Sequence, residues 1–392
     1  MINHTSPYTF SARCSSQWRL GFITLLLLTG LPSYAASLPC SYTGSSSTMR
    51  NYTCGAISTA ANETITLDSG SPKPIKATVN GAFATGAGSK INDGGVASDL
   101  TLVVSGAVSL GADSLVIANI TAAGVVDLGA GSTVIGHIQT ESAAITTGDR
   151  SKVIGNIQTQ SAAITVGANA TVTGNITTTV AGVINIGPYS VVNGNLSTVS
   201  GAINIGDNSI INGYLLSSYA GAITVGANVT ITNGVATTYK GSVVGAGAIT
   251  IGASSVIQAE GVTTYTGAIT VSADAKVSGN VMTNDGAITV AAGATVTNSV
   301  CTGNSGAITI GANAVVGGNV ETASAGAITV GADATVAGSA TVKKAGALTI
   351  GARAQVGTTA MGNECQTGAT PPVMPKAIKI ISRQWRQIFM RQ

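Results

Sequence analysis

The feature that most constrains the fold of this sequence is a short internal repeat that runs through most of the chain. Each copy follows the pattern Gly-Ala-Ile-Thr-Val-Gly-Ala, and we number it from its first large aliphatic residue, called the anchor. Neighbouring anchors lie 18 to 26 residues apart, with a mean of 20. A period of this length indicates a solenoid in which every repeat forms one coil. The thirteen anchors are Val108, Val126, Ile145, Ile164, Ile184, Ile203, Ile223, Ile249, Ile269, Ile288, Ile308, Ile328 and Leu348.

Within each repeat, aliphatic residues mark three separate inward-facing positions. The residue two after the anchor is Leu, Ile or Val in 12 of the 13 copies, and the residue eight after it is Val or Ile in all 13. Another aliphatic residue recurs near the twelfth position, as at Ile157 and Ile176. Since side chains of a strand alternate between its two faces, this pattern predicts short strands around a shared core. The expected fold is all-β, a single-stranded parallel β-helix with about 20 residues per coil and roughly three sides.

Glycine and asparagine recur where the chain must turn. Glycine follows the anchor by three residues in 11 of the 13 copies, and two residues later nine copies have Asn, Asp or Gly. These residue types tolerate left-handed backbone angles, so the pattern predicts a tight corner after the first strand of each coil.

The composition agrees with a regular core of small side chains. Only 4% of the residues are aromatic and 8% are charged, while 51 are glycine. Between Ala36 and Pro375 there are 11 basic and 15 acidic residues. This stretch offers no basic face for nucleic acid, and we expect no nucleic-acid partner.

The N-terminus predicts export. Residues 1–35 combine a positively charged start, an apolar run from Leu20 to Leu31 and a small-residue cleavage motif ending at Ala35. These are the features of a secretory signal peptide, and the apolar run is too short to span a bilayer. The expected segments are a signal peptide over 1–35, a polar segment over 36–62, the β-solenoid over 63–360 and a proline-containing basic tail over 361–392.

Export permits disulfides among the cysteines that remain after removal of the signal peptide. Cys40 and Cys54 close a short polar loop and are the expected pair. Cys301 follows an inward valine, so we expect it to face outward. It could bond to Cys365 only if the tail folds back along the coils, because a disulfide needs α-carbons within about 7 Å. Otherwise the two thiols are free or link two molecules.

The tail pattern is typical of a short basic amphipathic helix. Ile378, Ile381, Ile388 and Phe389 recur at helical spacing, with Trp385 on the same stripe. We expect this helix either to cap the open C-terminal end of the solenoid or to contact a membrane surface. The residues expected to carry either role are Lys376, Lys379, Arg383, Trp385 and Arg386.

The sequence offers little for catalysis or metal binding. His137 is the one histidine beyond the signal peptide and occupies a corner, where we expect a solvated side chain. Asp274 and Asp333 occupy the same corner position of different coils, but Gly293 and Asn313 lie between them. They do not form an adjacent carboxylate pair for glycoside cleavage. We therefore expect no enzymatic activity, cofactor or metal site.

The outward position one after the anchor is threonine in nine of the 13 copies, and the residue just before the anchor is alanine in eleven. Together they predict a flat, nearly uncharged face. Threonine suits any exposed strand, but flat threonine-rich faces of β-helices also bind ice or pack on another solenoid. The nine residues are Thr146, Thr165, Thr224, Thr250, Thr270, Thr289, Thr309, Thr329 and Thr349.

The repeat from Ile164 to Ile176 reads Ile-Thr-Val-Gly-Ala-Asn-Ala-Thr-Val-Thr-Gly-Asn-Ile. It resembles the coils of bactofilins, bacterial polymer-forming cytoskeletal proteins, and the resemblance covers roughly Val108 to Val356. It implies a compact right-handed β-helix that assembles end to end into filaments without nucleotide. Bactofilins are cytosolic, whereas this chain has a predicted signal peptide and a longer solenoid. The repeats are also similar to those of secreted haemagglutinin-like adhesins, although the Asn-Pro motifs of adhesin secretion domains are absent.

These observations predict an exported, non-enzymatic structural β-solenoid in the cell envelope, the periplasm or outside the cell. It would act as a polymer-forming scaffold or an adhesin-like surface protein, and its partners would be further copies of itself or a component of the cell envelope. Ice binding through the threonine and alanine face is the alternative, and a carbohydrate-active β-helix enzyme is the third reading. An uninterrupted threonine face favours ice binding, adhesive coil ends favour a polymer, and a groove with clustered carboxylates favours the enzyme.

Overall fold

The computed structural model describes residues 35–36, 40–45, 49–67, 73–237 and 245–358. The chain divides into two compact units, Met1–Gly213 and Tyr214–Gln392, and each unit is a parallel β-solenoid. Every regular coil contributes one short strand to each of three sheets, here called the first, second and third faces. Strands that begin at the anchors form the first face, and the second and third faces follow along the chain. This confirms the predicted all-β solenoid.

In the first unit the strands pair in parallel, except for the first two strands of the third face. The first face contains Ile57–Ser58, Phe83–Thr85, Val108–Leu110, Val126–Leu128, Ile145–Thr147, Ile164–Val166, Ile184–Ile186 and Ile203–Ile205. The second face contains Ala35–Ala36, Thr64–Ile65, Lys90–Ile91, Leu115–Ile117, Thr133–Ile135, Lys152–Ile154, Thr171–Thr173, Val191–Asn193 and Ile210–Ile211. The third face contains Cys40–Ser45, Arg50–Cys54, Ile75–Val79, Leu100–Val104, Asn119–Ala122, Ile138–Thr140, Ile157–Thr159, Ile176–Thr178 and Leu196–Thr198.

The second unit repeats the same three faces. The first face contains Ile223–Val225, Ile249–Ile251, Ile269–Val271, Ile288–Val290, Ile308–Ile310, Ile328–Val330 and Leu348–Ile350. The second face contains Thr230–Ile231, Val256–Ile257, Lys276–Val277, Thr295–Val296, Val315–Val316, Thr335–Val336 and Gln355–Val356. The third face contains Leu215–Ser217, Val235–Ala236, Gly261–Thr266, Asn280–Asp285, Val300–Ser305, Val320–Thr322 and Ala340–Val342.

Equivalent residues of successive coils lie directly beside one another. Ile288 pairs with Ile308, and anchors pair with anchors within each unit. Every anchor before Leu348 is completely buried, whereas Thr309 is exposed. This confirms the predicted register, in which the anchors face the core and the residues after them face outward. Each core is therefore built from columns of stacked aliphatic side chains, which explains why the chain needs few aromatic residues.

The corner after the first face has a left-handed backbone in every repeat. The residue five after the anchor has a φ between 55° and 71° in all thirteen copies. Nine of the thirteen are Asn, Asp or Gly, as the sequence predicted. The other four are Arg150, Tyr189, Ser254 and Arg353, residue types that seldom adopt this backbone.

Glycine is favoured three residues after the anchor for a different reason. A Cβ atom at Gly331 would lie 2.7 Å from the carbonyl carbon of Gly311 in the preceding coil. A side chain at Gly331 would collide with the neighbouring backbone unless the two coils shifted apart, as they must at Ser272 and Ala291. The stacking distance of the coils, and not a positive φ, therefore favours glycine here.

Parts of the predicted organisation lie outside the described residues. These are the helix expected within residues 376–391 and the apolar run of the predicted signal peptide. The strand Ala35–Ala36, at the predicted cleavage site, pairs with Thr64–Ile65. The helical element found in the described part of the chain is the 3-10 turn Ala97–Asp99, and no helix there is long and apolar enough to cross a membrane.

Candidate functional site

A continuous column of threonine side chains runs along the first face of the second unit. Thr289 pairs with Thr270 on one side and with Thr309 on the other. In all but the last of these strands, the residues on either side of the threonine are buried and the threonine itself faces outward. The column is uninterrupted over seven coils and consists of Thr224, Thr250, Thr270, Thr289, Thr309, Thr329 and Thr349.

An exposed alanine stands before the anchor of each of the same seven strands. The column of threonines and the column of alanines together form what we call the threonine–alanine face. It presents methyl and hydroxyl groups and no charge, repeated at the strand spacing of about 4.8 Å. Such a surface can make apolar contacts and hydrogen bonds at once with another regular surface. The alanines are Ala222, Ala248, Ala268, Ala287, Ala307, Ala327 and Ala347.

The equivalent column in the first unit is mixed. Asn204 Nδ2 donates a hydrogen bond to Asn185 Oδ1 at 2.8 Å, so amide side chains replace threonines there. Two of the nine predicted threonines belong to this unit. Because the strands pair in the same way in both units, the fold does not require threonine at this position. From Val108 onward the column contains Ser109, Asp127, Thr146, Thr165, Asn185 and Asn204.

The last described coil of the second unit exposes inward positions that are buried in earlier coils. Leu348 is 43% exposed and Ile350 is 49% exposed, whereas Ile328 and Val330 in the preceding coil are completely buried. Within the described residues, the strand Leu348–Ile350 pairs on one side only. An apolar surface beside a free strand edge favours contact with a further strand.

The N-terminal end of the first unit is closed by a hairpin. Its two strands run antiparallel and are joined by a disulfide between Cys40 and Cys54, with an α-carbon distance of 4.2 Å. This is the pair that the sequence suggested. Tyr52, Ile57 and Ile65 at this end are buried, whereas Tyr42 on the outer strand of the hairpin is 44% exposed. The two described ends of the solenoid chain therefore differ in how well their core residues are covered.

Cys301 occupies an outward strand position, as the sequence predicted, yet its side chain is buried. The residue alternates with the inward residues Val300 and Thr302, but it is only 2% exposed. It is also disulfide-bonded and therefore has no free thiol. Its partner is not among the described cysteines, because Cys40 and Cys54 are bonded to each other, and Cys365 lies outside the described residues. The outer surface of the third face is covered at this position, which strand alternation alone does not reveal.

His137 belongs to a ladder of hydrogen bonds along a corner of the first unit. It is exposed, and its Nδ1 accepts a hydrogen bond from the backbone N–H of Asn156 at 2.9 Å. In the next coil, Asn156 Oδ1 accepts a hydrogen bond from the backbone N–H of Asn175 at 2.8 Å. The imidazole therefore does what asparagine side chains do in neighbouring coils, which is to satisfy a backbone donor at the corner.

The acidic residues are spread along the coils. Asp274 and Asp333 are separated by three coil steps, about 14 Å, which exceeds the separation of catalytic carboxylate pairs in glycosidases. Asp333 accepts two hydrogen bonds of 2.6 Å from Arg353. Among the described residues, no group of three or more His, Cys, Asp or Glu side chains is placed to hold a metal ion.

Asp99 in the first unit has a lowered pKa that depends mainly on one neighbour. The ammonium of Lys73 donates a hydrogen bond of 2.8 Å to its carboxylate, and this hydrogen bond lowers the pKa of Asp99. Burial opposes the effect, and the backbone N–H of Val96 adds to it.

The pKa of Asp285 in the second unit is also lowered, but by neutral hydrogen-bond donors. Burial acts to raise the pKa of Asp285, but hydrogen bonds from Ser305, Asn304 and Asn284 outweigh it and lower the pKa. At Glu260, in contrast, burial raises the pKa of the carboxyl group.

The residues expected to form a cap or to contact a membrane all follow Thr358. Lys376, Lys379, Arg383, Trp385 and Arg386 lie outside the described residues. The coil that they were expected to cover carries the exposed residues Leu348 and Ile350.

Comparison with known proteins identifies no relative of this chain. No family model matches it, and neither does any curated protein or solved structure. The likeness to bactofilin and adhesin repeats therefore rests on the spacing of glycine and aliphatic residues. The structure by itself establishes a parallel β-solenoid.

Proposed function

We propose that this chain is an exported, non-enzymatic structural β-solenoid that associates with a second copy through its C-terminal coil. The observation that carries the proposal is the exposure of Leu348 and Ile350, which belong to the core by register. The same positions are buried in the coils before them. A second copy can supply both the apolar contact and the strand edge that the last coil lacks.

The expected contact is modest in strength. Two copies that meet through this end would cover four half-exposed aliphatic side chains, each contributing about 1 kcal/mol. Backbone hydrogen bonds between the free strand edges would add to this. Because association also costs translational and rotational freedom, these contributions support a reversible dimer and not an obligate one.

The difference between the two ends supports a closed pair over a long polymer. An open filament requires two complementary surfaces on each copy, whereas a two-fold dimer uses one surface twice. The N-terminal coil buries Tyr52, Ile57 and Ile65 behind its disulfide-bonded hairpin. The filament implied by the bactofilin resemblance would need this end to be adhesive as well. We therefore propose pairing through C-terminal ends as the basic step of assembly.

Two disulfide-bonded sites support an exported location. Cys40 is bonded to Cys54, and Cys301 is also disulfide-bonded. Disulfides persist in oxidising compartments such as the periplasm or the cell exterior. Together with the predicted signal peptide, this supports a place in or beyond the cell envelope.

Sedimentation equilibrium of the mature protein at several concentrations tests the proposal. We expect the average mass to rise towards that of two chains by about 100 µM. The double variant L348D/I350D should remain monomeric, because two carboxylates at each end repel their counterparts. The matched control Q355E adds charge to an exposed position on the second face of the same coil and should dimerise like the unmodified chain. A monomeric unmodified chain, or an L348D/I350D variant that still pairs, contradicts the proposal.

A second candidate function is binding of ice through the threonine–alanine face. The observation that favours it is the uninterrupted threonine column of the second unit, beside the mixed column of the first unit. Since the fold accepts Ser109, Asp127 and Asn204 at this position, folding alone does not explain seven successive threonines. A uniform face with methyl and hydroxyl groups suits a regular lattice.

Thermal hysteresis and inhibition of ice recrystallisation test this function. The variant T309Y places a bulky side chain in the middle of the face and should abolish activity. The control T335Y makes the same change on the second face and should leave activity unchanged. If the unmodified protein lacks both activities, or if T335Y is as damaging as T309Y, ice binding through this face is excluded.

A further inference from the structure

A strip of buried side chains lies on the outer surface of the third face in the second unit. Its members occupy the outward strand positions and pair in register from coil to coil, with Thr263 between Ala236 and Met282. In a single-walled solenoid these positions would face solvent, as Thr309 does on the first face. The strip, called the outer strip below, consists of Leu216, Ala236, Met282, Cys301 and Glu321.

All five members of the outer strip are buried. Met282 is 9% exposed and Glu321 is 7% exposed. Lys343 Nζ forms an ion pair with Glu321 Oε1 at 2.5 Å, and among the described residues no hydrogen bond of acceptable geometry reaches that oxygen. Tyr214 forms one buried cluster with Leu216 and Ala236, which accounts for the burial of these two members. Apolar side chains such as Met282 do not become buried on an outer surface unless something lies on them.

The disulfide of Cys301 identifies what lies there. The chain has five cysteines, and Cys40 and Cys54 are bonded to each other. Within one chain, the partner of Cys301 is therefore Cys14 or Cys365. Cys14 belongs to the predicted signal peptide, which is removed on export. Cys365 is the remaining candidate in the mature protein.

We propose that residues 359–392 of this chain dock on the outer strip and are fastened there by a disulfide between Cys301 and Cys365. The disulfide forms by exchange with an oxidised dithiol donor in the export compartment. Both thiolates become the new disulfide, and the donor disulfide is reduced to two thiols.

The length of the tail permits this contact. Cys365 follows Thr358 by seven residues, and an extended chain of that length spans about 23 Å. Cys301 lies three coil steps before the third-face position of the coil anchored at Leu348, or about 14 Å. The tail can therefore turn back and bring the two cysteines together.

The composition of the tail matches the outer strip. Leu216, Ala236 and Met282 make most of the strip apolar, and Glu321 adds a carboxylate. Beyond Pro375 the tail contains large apolar residues interspersed with five basic ones and has no acidic residue. A tail bound along the third face also leaves the last coil of the first face uncovered, in agreement with the exposure of Leu348 and Ile350.

Peptide mapping of the oxidised full-length protein under non-reducing conditions tests the covalent part. We expect the peptide containing Cys301 to be linked to the peptide containing Cys365 of the same chain. A link from Cys301 to Cys14, a link between two chains or a reduced Cys301 overturns the proposal.

The reactivity of the Cys301 thiol in the full-length variant C365S tests docking apart from the disulfide. Under native conditions it should react with an alkylating reagent at least about ten-fold more slowly than an uncovered thiol. The matched uncovered thiol is that of T309C in the C301S/C365S background. Equal rates overturn docking of the tail.

Hydroxyl-radical footprinting of the unmodified chain supplies a second measurement if C365S does not fold. After normalisation for the intrinsic reactivity of each residue type, Met282 should be protected at least about ten-fold relative to Leu348. Equal normalised labelling of Met282 and Leu348 overturns the proposal.

Discussion

The two units share one backbone pattern and place different side chains on it. In the first unit, the buried position six residues after the anchor is mostly serine, as at Ser132, Ser151 and Ser190. In the second unit it is mostly alanine, as at Ala294 and Ala314. The outward position after the anchor is mixed in the first unit and threonine throughout the second. The strands stack in parallel on the same three faces in both units, so neither set of side chains is needed for the solenoid itself.

This comparison separates residues that build the coil from residues that distinguish one unit from the other. The inward aliphatic positions are the same in both units and bury the same columns. The corner accepts either serine or alanine, and the outward column accepts threonine, asparagine, serine or aspartate. A uniform outward column is therefore a property of the second unit beyond what folding requires, and a functional surface is to be sought there.

The largest expected effect comes from charge in the shared core. I184D in the first unit and I308D in the second should each cost several kcal/mol and unfold neighbouring coils, because a lone buried carboxylate has no partner. The outward variants N185D and T309D should each cost less than about 1 kcal/mol. Urea unfolding followed by circular dichroism measures all four. If I184D lowered the free energy of unfolding only slightly while I308D lowered it strongly, the two cores would not be equivalent.

Replacing the buried serines of the first unit by alanine should have a smaller effect on stability. These variants make the first unit resemble the second at this position. Within the described part of the chain, the hydroxyls of Ser132 and Ser151 have no hydrogen-bond partner, whereas Ser190 Oγ donates to the carbonyl of Gly167 at 2.8 Å. S132A and S151A should each raise the free energy of unfolding by about 1 kcal/mol, because each removes an unsatisfied polar group. The control S190A should lower it by about 1 kcal/mol. Destabilisation by S132A as large as that by S190A would show that its hydroxyl is satisfied.

Substitutions at the left-handed corner should change the free energy of unfolding by up to about 1 kcal/mol. Tyr189 has a φ of 59°, as does Asn208 in the following coil. Y189N should stabilise the first unit because asparagine tolerates this backbone, and N208Y should destabilise it by a similar amount. In the second unit R353N should gain less, since it also removes the hydrogen bonds to Asp333. Thermal unfolding measures the three variants, and a stabilising N208Y contradicts the strain argument.

The smallest effect concerns two carboxylates whose pKa values are lowered from the ordinary 3.8. Each contributes stability that is present above pH 3.8 and is lost as the pH falls through the lower pKa of the folded state. Added salt should raise the pKa of Asp99 towards its ordinary value, because Lys73 carries a charge. It should change the pKa of Asp285 less, because Ser305, Asn304 and Asn284 are neutral donors. NMR titration at two salt concentrations measures both, and equal salt dependence would contradict this assignment.

Much of the candidate site follows from residue positions in the repeat. Alternation along a strand assigns Thr309 outward and Ile308 inward without any tertiary information, and both assignments are confirmed. The exposure of Leu348 and Ile350 is not visible in the repeat pattern, because it depends on whether anything covers the last coil. The burial of Cys301 cannot be predicted from alternation either. Alternation shows on which side of a strand a residue lies, but not whether another part of the protein covers that side.

The sequence alone determined the coil, its period and its inward residues, because in a solenoid each contact repeats at a fixed spacing along the chain. Tertiary structure decided which outward positions stay exposed. It also forced Arg150 and Tyr189 into the left-handed backbone of their corner, although neither residue favours it. The hydrogen bonds of the coils on both sides impose the corner geometry there, and many such bonds together outweigh the local preference of a single residue.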